Sequence, residues 1–335
     1  ISLTIKHQIM EKSISRRNFI KTSSTAVAAI SAGGLLSNCA TSNIMTGKNG
    51  MPMRMLGKTG EKISILGYGC GSQFMKMPDG EWEPHFEHAF NSGINYFDTA
   101  STYGDKEPVS SEERLGRIIP DIRKDIFLLT KIHDRDPEKA KEEFERSLER
   151  LKTDHVDVLL IHAIRPDDEL KKIEEGVYKL VSELKAQKMV RHIGFSSMDS
   201  AERSKELIDN LDFDVTLLAL NATQYGDFVQ EALPAAHKKE MGVISMKIMR
   251  NIIDKGVAQP GELLQYNWDL PGVAVNLVSQ TGMEPLKQNI EIARNYGKGV
   301  QTRLIKKELE TRLAHLKSAS NFDWAQPGYY DGMVC

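Results

Sequence analysis

From Met51 onward, short apolar runs alternate with amphipathic stretches. Eight of these runs have the length and the β-branched and aromatic content of strands. They are the segments 63–69, 94–98, 126–131, 156–162, 190–195, 214–220, 242–247 and 273–280. Between them, apolar residues recur at helical spacing. One such stripe comprises Leu170, Ile173, Val177, Leu180 and Leu184. The pattern predicts a chain of repeated strand and helix units.

Several strand segments are apolar throughout, as expected for parallel strands buried on both faces. Eight units over roughly 230 residues match a closed (β/α)8, or TIM, barrel, which takes about 250 residues. A doubly wound sheet is the alternative, because GYGCGS at 67–72 follows one strand and Asp98 ends the next. Ser72 replaces the third glycine of the dinucleotide motif, and Asp98 lies beyond the usual distance of about 20 residues. We therefore predict the barrel.

Four titratable side chains stand at or just after the ends of successive predicted strands. Asp98 ends the second strand, Lys131 the third and His162 the fourth, and Tyr103 follows the second. In a parallel barrel these ends meet at one mouth, where the catalytic residues of this fold lie. An ammonium group lowers the pKa of a nearby phenol, and a carboxylate keeps that ammonium charged. The pattern predicts a site that delivers a proton from Tyr103 to a carbonyl oxygen.

Taken singly, each of these residues has a structural explanation, such as a loop cap or a core histidine. Further segments extend the pattern. They are MPMRMLGKTGEKISILGYGCG (51–71), FDTASTY (97–103), SEERLG (111–116), FLLTKI (127–132), VDVLLIH (156–162) and IGFSS (193–197). Together they resemble the aldo/keto reductase family, from about Met51 to Arg294. A DTAxxY segment with downstream TK and LxxH strand ends is more specific than a single glycine motif.

The resemblance implies a barrel that binds NADPH, or less often NADH, across its mouth without a separate nucleotide domain. It implies hydride transfer to an aldehyde or ketone carbon, with Tyr103 as the proton donor. Asp98, Tyr103, Lys131 and His162 match the catalytic residues of the family. The identity of the small-molecule carbonyl substrate, the reaction direction and the oligomeric state stay open.

The resemblance also assigns residues to the nucleotide. They are Gly69, Cys70, Gly71, Ser196, Ser197, Asn221, Lys247, Gly282 and Asn289. Lys247 is expected to pair with the pyrophosphate by charge, and Gly282 precedes a helix whose N-terminus favours an anion. Leu217 stands where the family usually has a glutamine, and Met283-Glu284 stand where a cation is common. NADP is the expected cofactor and NAD is the alternative.

Composition narrows the remaining chemistry. The formal net charge is −2, from 44 basic and 46 acidic residues, which argues against a nucleic-acid partner. Cys39, Cys70 and Cys335 are too few and too scattered for a disulfide framework or an iron–sulfur ligand set. His85 and His88 lack a third ligand nearby, so we interpret them as surface histidines and expect no metal. Redox chemistry therefore needs a borrowed cofactor.

The start of the chain has a different character. Residues 13–21 read SISRRNFIK, and the segment 22–47 contains no charged residue. This is typical of an export signal, and Arg16-Arg17 resembles a twin-arginine signal. We expect the twin-arginine machinery as partner, a periplasmic or exported location, and no stable membrane span in the mature chain. A disordered tail, a membrane anchor and lipid attachment at Cys39 are the alternatives.

These observations predict an export signal and linker at 1–48 and a barrel with a C-terminal helix and tail at 49–335. The aromatic tail FDWAQPGYYDG (322–332) either folds over the barrel mouth or packs on the outside. The leading function is NAD(P)H-dependent reduction of an aldehyde or ketone. The alternative is an exported nucleotide-binding or accessory protein with little or no turnover, because the cofactor motifs match incompletely.

Overall fold

The computed structural model describes residues 44–298 and 306–332. The predicted export pair Arg16-Arg17 and the lipidation candidate Cys39 lie outside these residues. Within the described ranges, no helix combines the length and hydropathy that crossing a membrane requires.

Three short antiparallel strands open the described chain: β1 (Met45–Thr46), β2 (Pro52–Met55) and β3 (Lys62–Ser64). This small sheet packs where the barrel strands begin. The buried Arg54 donates from Nη1 to the backbone oxygens of Trp268 at 2.7 Å and Val273 at 2.8 Å. The opposite end of the barrel, where the strands finish, holds the polar side chains described below.

Within residues 44–298, eight parallel strands close into a barrel in the order β10-β11-β4-β5-β6-β7-β8-β9. They are β4 (Leu66–Gly69), β5 (Tyr96–Asp98), β6 (Phe127–Ile132), β7 (Val156–Ile164), β8 (Val190–Ser197), β9 (Val215–Ala219), β10 (Gly242–Met246) and β11 (Val273–Val278). Every residue of β6 and β7 is buried, as the continuous apolar runs require. Closure between β4 and β11 confirms the predicted (β/α)8 barrel and excludes the doubly wound sheet.

The α-helices alternate with the barrel strands. Their bounds are Ser72–Lys76, Trp82–Asn91, Ser111–Leu115, Ile119–Ile122, Pro137–Leu151, Leu170–Ile173, Lys179–Ala186, Ala201–Asn210, Ala232–Lys238, Pro260–Trp268, Met283–Asn295 and Lys306–Leu313. The apolar stripe predicted at 170–184 is divided by a π-helical turn, Glu174–Tyr178. The reason is Gly176, whose backbone leaves helical geometry there and which carries no side chain to oppose the distortion.

One sequence interpretation is wrong. His85 is not a surface residue but is 2% exposed, and its Nδ1 lies 2.7 Å from the hydroxyl of Tyr68. Helix Trp82–Asn91 turns His85 toward the barrel wall together with Phe86 and Ala89. His88 is partly exposed, so of the two histidines only His85 lies on the buried face of that helix.

Candidate active site

Lys131 is the centre of the polar cluster at the barrel mouth. Its Nζ donates to Asp98 Oδ1 at 2.6 Å, to the Thr99 backbone oxygen at 2.8 Å and to the Tyr103 hydroxyl at 3.2 Å. Strand register explains the meeting, because Asp98 pairs with Leu129, which shares a face of β6 with Lys131 two residues later. The Lys131 and Asp98 side chains are 1% and 2% exposed.

The loop after β5 carries Tyr103 over this pair. The Tyr103 backbone N–H donates to the Ala100 oxygen at 3.1 Å, and its own oxygen accepts from Ser111 N–H at 2.9 Å. Gly71 lies close to the ring, because a Cβ there would be 3.4 Å from Tyr103 Cε2. The Tyr103 ring meets the His162 ring edge to face, with centroids 5.7 Å apart. The four predicted side chains therefore lie together.

His162 owes its position to an irregularity in β7. The β7–β8 register shifts between Ile161 and Ile164, and Ala163 has a φ of +52°, which is uncommon for a residue with a side chain. Ser196 Oγ on β8 accepts from Ala163 N–H at 2.8 Å and so ties down this bulge. Bulges of this kind redirect side chains next to functional sites.

A carboxylate from the C-terminal tail completes the cluster. Asp331 Oδ2 accepts from the Tyr103 hydroxyl at 2.9 Å and lies 3.2 Å from His162 Nε2. Its Oδ1 accepts from Lys247 Nζ at 2.7 Å and from the Tyr329 hydroxyl at 3.1 Å. Of the two alternatives for the tail, the structure supports the one in which it folds over the mouth.

Burial and charge set the protonation of these groups. Burial raises the pKa of Asp98 to about 6 although Lys131 opposes the shift. Burial lowers the pKa of His162 to about 4, so its imidazole is neutral near pH 7. Burial alone would raise the pKa of Asp331, but Lys247 and then His162 outweigh it and hold that pKa well below its usual range.

The predicted direction of the Tyr103 pKa is wrong for this arrangement. The pKa of Tyr103 is raised well above its usual value, first by burial and then by the carboxylates of Asp331 and Asp98. Lys131 touches the phenol, but its charge is already matched by Asp98 at 2.6 Å. Tyr103 is therefore held in its protonated form while Asp331 is bonded to it.

A groove of about 510 Å³ leads away from Tyr103 and Asp98 along the mouth. Its size lies in the usual range for cofactor and small-molecule sites. Four of the residues assigned to the nucleotide line it: Gly69, Gly71, Lys247 and Asn289. Leu217, which stands where the family usually has a glutamine, gives the groove an apolar wall.

The other five assigned residues do not line this groove and make contacts within the fold. Cys70 is buried. Its backbone N–H donates to the backbone oxygen of Asp98, and its backbone oxygen accepts from Ser111 Oγ. Ser197 Oγ donates to the Ile164 oxygen at 3.1 Å.

Ser196 supports the bulge, as described above. Asn221 Oδ1 accepts from both the N–H and the hydroxyl of Thr223, and Gly282 precedes the helix Met283–Asn295. The nucleotide roles of these five residues stay predictions.

The groove residues missed from the sequence include Arg250, Gln280 and Asp331. Arg250 and Gln280 line the groove beside Lys247 and Asn289, and Asp331 enters it from the tail. Gln280 Oε1 accepts from Asn289 Nδ2 at 2.9 Å, whereas its Nε2 is buried without a hydrogen-bond partner among the described residues. Nothing in the local sequence distinguishes Arg250 or Asp331, whereas Gln280 ends the eighth predicted strand, 273–280, which is the signal that marks Asp98.

A closed parallel barrel with its polar side chains at the carboxyl ends of the strands is the architecture of a large class of enzymes. Residues 66–260 match the sequence profile of the aldo/keto reductase family. Because this match spans more than half of the chain, the protein belongs to that family and is an oxidoreductase.

Individual relatives agree with this assignment. An uncharacterized oxidoreductase of Bacillus subtilis (strain 168) is 26% identical over 80% of this chain and 97% of its own length. L-Galactose dehydrogenase of Arabidopsis thaliana is 29% identical over 58% of this chain, and the match spans 64% of the plant protein. The holo structure of an aldo-keto reductase from Bacillus halodurans covers 82% of this chain and 99% of its own, with a TM-score of 0.63 and 20% identity. This last likeness supports the fold alone.

Proposed function

We propose that the protein is an NAD(P)H-dependent carbonyl reductase in which Tyr103 donates a proton to the oxygen of an aldehyde or ketone. One observation carries the proposal. The Tyr103 hydroxyl and His162 Nε2 converge on a single oxygen, Asp331 Oδ2, at 2.9 and 3.2 Å. A carbonyl oxygen at that point would receive both contacts, as a substrate does between a proton donor and an orienting hydrogen bond.

The groove fits a dinucleotide. Lys247 and Arg250 line it as cations, and cations recognise phosphate oxygens. The unpartnered Nε2 of Gln280 offers a buried donor on the same wall, and buried donors are rarely left unpaired without a reason. Lys247, Arg250, Gln280 and Asn289 would hold the nucleotide, which when bound supplies the hydride that adds to the carbonyl carbon.

The chain's own residues handle the proton. Tyr103 gives up its hydroxyl proton as the substrate oxygen gains negative charge, and the Lys131 ammonium 3.2 Å away stabilises the phenolate that results. Asp98 keeps that ammonium charged and directed at the phenol. The neutral imidazole of His162 orients the substrate oxygen through Nε2.

We propose NADPH as the preferred nucleotide, as the family resemblance implies, and NADH as the alternative, which the following contact favours. Lys287 Nζ donates to Glu284 at 2.8 Å on the surface of helix Met283–Asn295, so a 2′-phosphate would have to compete with this carboxylate for it. The comparison of Km for NADPH and NADH decides between them. Replacing Glu284 by Gln should lower the Km for NADPH and leave that for NADH unchanged.

The test of the reductase proposal is Tyr103→Phe in the full chain. Loss of absorbance at 340 nm is followed with NADPH or NADH and a panel of small aldehydes, ketones and aldoses. An aldose belongs in the panel because the plant relative is named for L-galactose. We expect a loss of about 10²–10⁴-fold in kcat with nucleotide binding retained, because only the proton donor is removed.

Tyr178→Phe is the matched control, because that tyrosine accepts from Asp212 N–H on the outside of the barrel. Full activity in Tyr103→Phe would exclude Tyr103 as the donor. The second candidate, a nucleotide-binding protein without turnover, has one observation in its favour, since Asp331 fills the position of the carbonyl oxygen. Bound nucleotide that no carbonyl compound oxidises would select this candidate.

We further propose, from the sequence alone, that the protein is exported to the periplasm by the twin-arginine machinery. Replacing Arg16-Arg17 by two lysines should retain the protein in the cytoplasm, because that route reads the arginine pair. Fractionation of cells that express both forms measures this. An unchanged distribution would reject the route, and radiolabelled palmitate on Cys39 would favour the lipid-anchored alternative.

A further inference from the structure

Four tail residues, Tyr329 to Gly332, enter the mouth of the barrel, and we call them the plug. We propose that the plug is autoinhibitory, with Asp331 occupying the carbonyl-oxygen position until nucleotide binding at Lys247 and Arg250 releases it. The inference rests on the proposed reductase function. It adds a closed state in which the same catalytic side chains cannot reach a substrate.

The first argument is position. Asp331 Oδ2 takes the hydrogen bonds of Tyr103 and His162 that a substrate oxygen would need. The next residue, Gly332, has a φ of +89°, and a Cβ there would lie 2.0 Å from Tyr103 Cδ1. The plug backbone is therefore pressed against the phenol ring. A substrate and the plug cannot contact Tyr103 and His162 at the same time.

The second argument is how the plug is held. Lys247 Nζ donates to Asp331 Oδ1 at 2.7 Å, and the two side chains are 9% and 11% exposed. Arg250 Nη1 donates to the Tyr329 hydroxyl at 3.1 Å, and both cations lie over the Tyr329 ring, at 5.2 Å and 5.5 Å from its centroid. Lys247 and Arg250 therefore hold the plug and also line the nucleotide groove.

Shared cations couple the two events. A pyrophosphate that binds Lys247 and Arg250 removes the charges that hold Asp331 and Tyr329, so bound nucleotide favours release of the plug. Coupling of this kind is reciprocal, because a plug that blocks the nucleotide must itself be displaced by it. If the plug is closed about 90–99% of the time, it weakens the apparent nucleotide affinity about 10- to 100-fold.

The remaining plug contact is on the rim of the mouth. Tyr330 packs edge to face on His133, with ring centroids 5.3 Å apart, and lies 5.9 Å from Lys106 Nζ. These are contacts between partly exposed groups, and groups of this kind contribute little. Most of the hold therefore depends on Asp331 and Tyr329, which makes single substitutions informative.

Two variants of the full chain weaken the plug at different positions. Asp331→Ala removes the carboxylate, and Gly332→Ala drives the backbone away from the Tyr103 ring. In both we expect nucleotide Kd to fall, and kcat/KM for a small aldehyde measured at subsaturating NADPH to rise, each by about 10-fold or more. The control is Asp209→Asn, a surface carboxylate that accepts from Lys205 at 2.6 Å.

A third readout needs no turnover. Chymotrypsin cleaves after tyrosine, so NADPH should accelerate cleavage at Tyr329 and Tyr330 in the wild-type protein by releasing the plug. Protection of these sites by NADPH, or an unchanged rate, would overturn the proposal. Unchanged or reduced activity and nucleotide affinity in Asp331→Ala would also overturn it. Asp331 would then have no inhibitory effect or would be part of the catalytic machinery.

The outcomes separate the plug from the reductase activity. If Asp331→Ala binds nucleotide more tightly but neither form oxidises it with any carbonyl compound, the plug stands and the reductase function fails. If the wild type turns over and Asp331→Ala changes neither Kd nor kcat/KM, the reductase function stands and the plug fails.

Discussion

Replacing Lys131 by Met tests how the buried ion pair supports both stability and chemistry. Lys131 Nζ and Asp98 Oδ1 are 2.6 Å apart and almost fully buried, so removing the ammonium leaves a buried carboxylate without its partner. Breaking such a pair costs about 3–5 kcal/mol. The cost is limited here because Asp98, whose pKa is already raised to about 6, can take up a proton.

The sign of the pH dependence follows. A carboxyl group whose pKa is raised in the folded state binds protons more tightly there than in the unfolded chain, so its cost appears as pH rises through that range. Without Lys131 the pKa of Asp98 rises further. We therefore expect Lys131→Met to lose about 3 kcal/mol at pH 8 and less at pH 5.5, measured by urea unfolding at both pH values.

A second substitution separates stability from catalysis. Adding Asp98→Asn to Lys131→Met removes the unpaired charge, so the double variant should be more stable at pH 8 than Lys131→Met. Its activity should stay about 10²–10³-fold below the wild type, because the cation beside Tyr103 is still absent.

The control for this pair is Lys185→Met. Lys185 pairs with Asp214 at 2.6 Å but is 37% exposed, so its loss should cost no more than about 1 kcal/mol. Wild-type activity in Lys131→Met would refute the role of the ammonium. A double variant no more stable than Lys131→Met would refute the account of the unpaired carboxylate.

Two further substitutions test the imidazole and its support. His162 has a pKa of about 4 in the folded protein and about 6.5 in the unfolded chain. Stability that is present above pH 6.5 is therefore lost as the pH falls. Between pH 7.5 and 4.5, His162→Gln should lose about 2.5 kcal/mol less stability than the wild type, measured by urea unfolding. Parallel pH profiles would contradict this. Ser196→Ala leaves the buried Ala163 N–H without its acceptor and should lower the free energy of unfolding by about 1–3 kcal/mol. The kcat of this variant should fall, because His162 loses its position. An unchanged kcat would show that the bulge forms without Ser196.

The barrel can be predicted from the sequence because a strand that is buried on both faces is apolar throughout. Residues 127–132 and 156–164 are buried on both faces, and their apolar runs show it without knowledge of any neighbour. Asp98, Lys131 and His162 were found for a related reason. Each occupies or lies next to the end of an apolar run, and parallel strands bring such ends to one mouth.

What the sequence does not predict depends on contacts between distant parts of the chain. The hydrogen bond from Ala163 to Ser196 spans 33 positions, and the bond from Tyr103 to Asp331 spans 228. No local pattern distinguishes Asp331 from the other acidic residues of the chain. The direction of the Tyr103 pKa was missed because it depends first on the burial of the phenol and then on this distant carboxylate.

Lys131 and the plug act on the Tyr103 pKa in opposite directions. With the plug in place, Asp98 and Asp331 balance Lys131 and Lys247, and the phenol donates directly to a carboxylate. Such an acceptor favours the protonated phenol. Once Asp331 leaves, Lys131 at 3.2 Å is the charged group in contact with the hydroxyl, and its ammonium favours the phenolate. Under the proposed release of the plug, Asp331 no longer adds to the effect of burial on the Tyr103 pKa, so the phenol gives up its proton more readily in the open state than in the closed one.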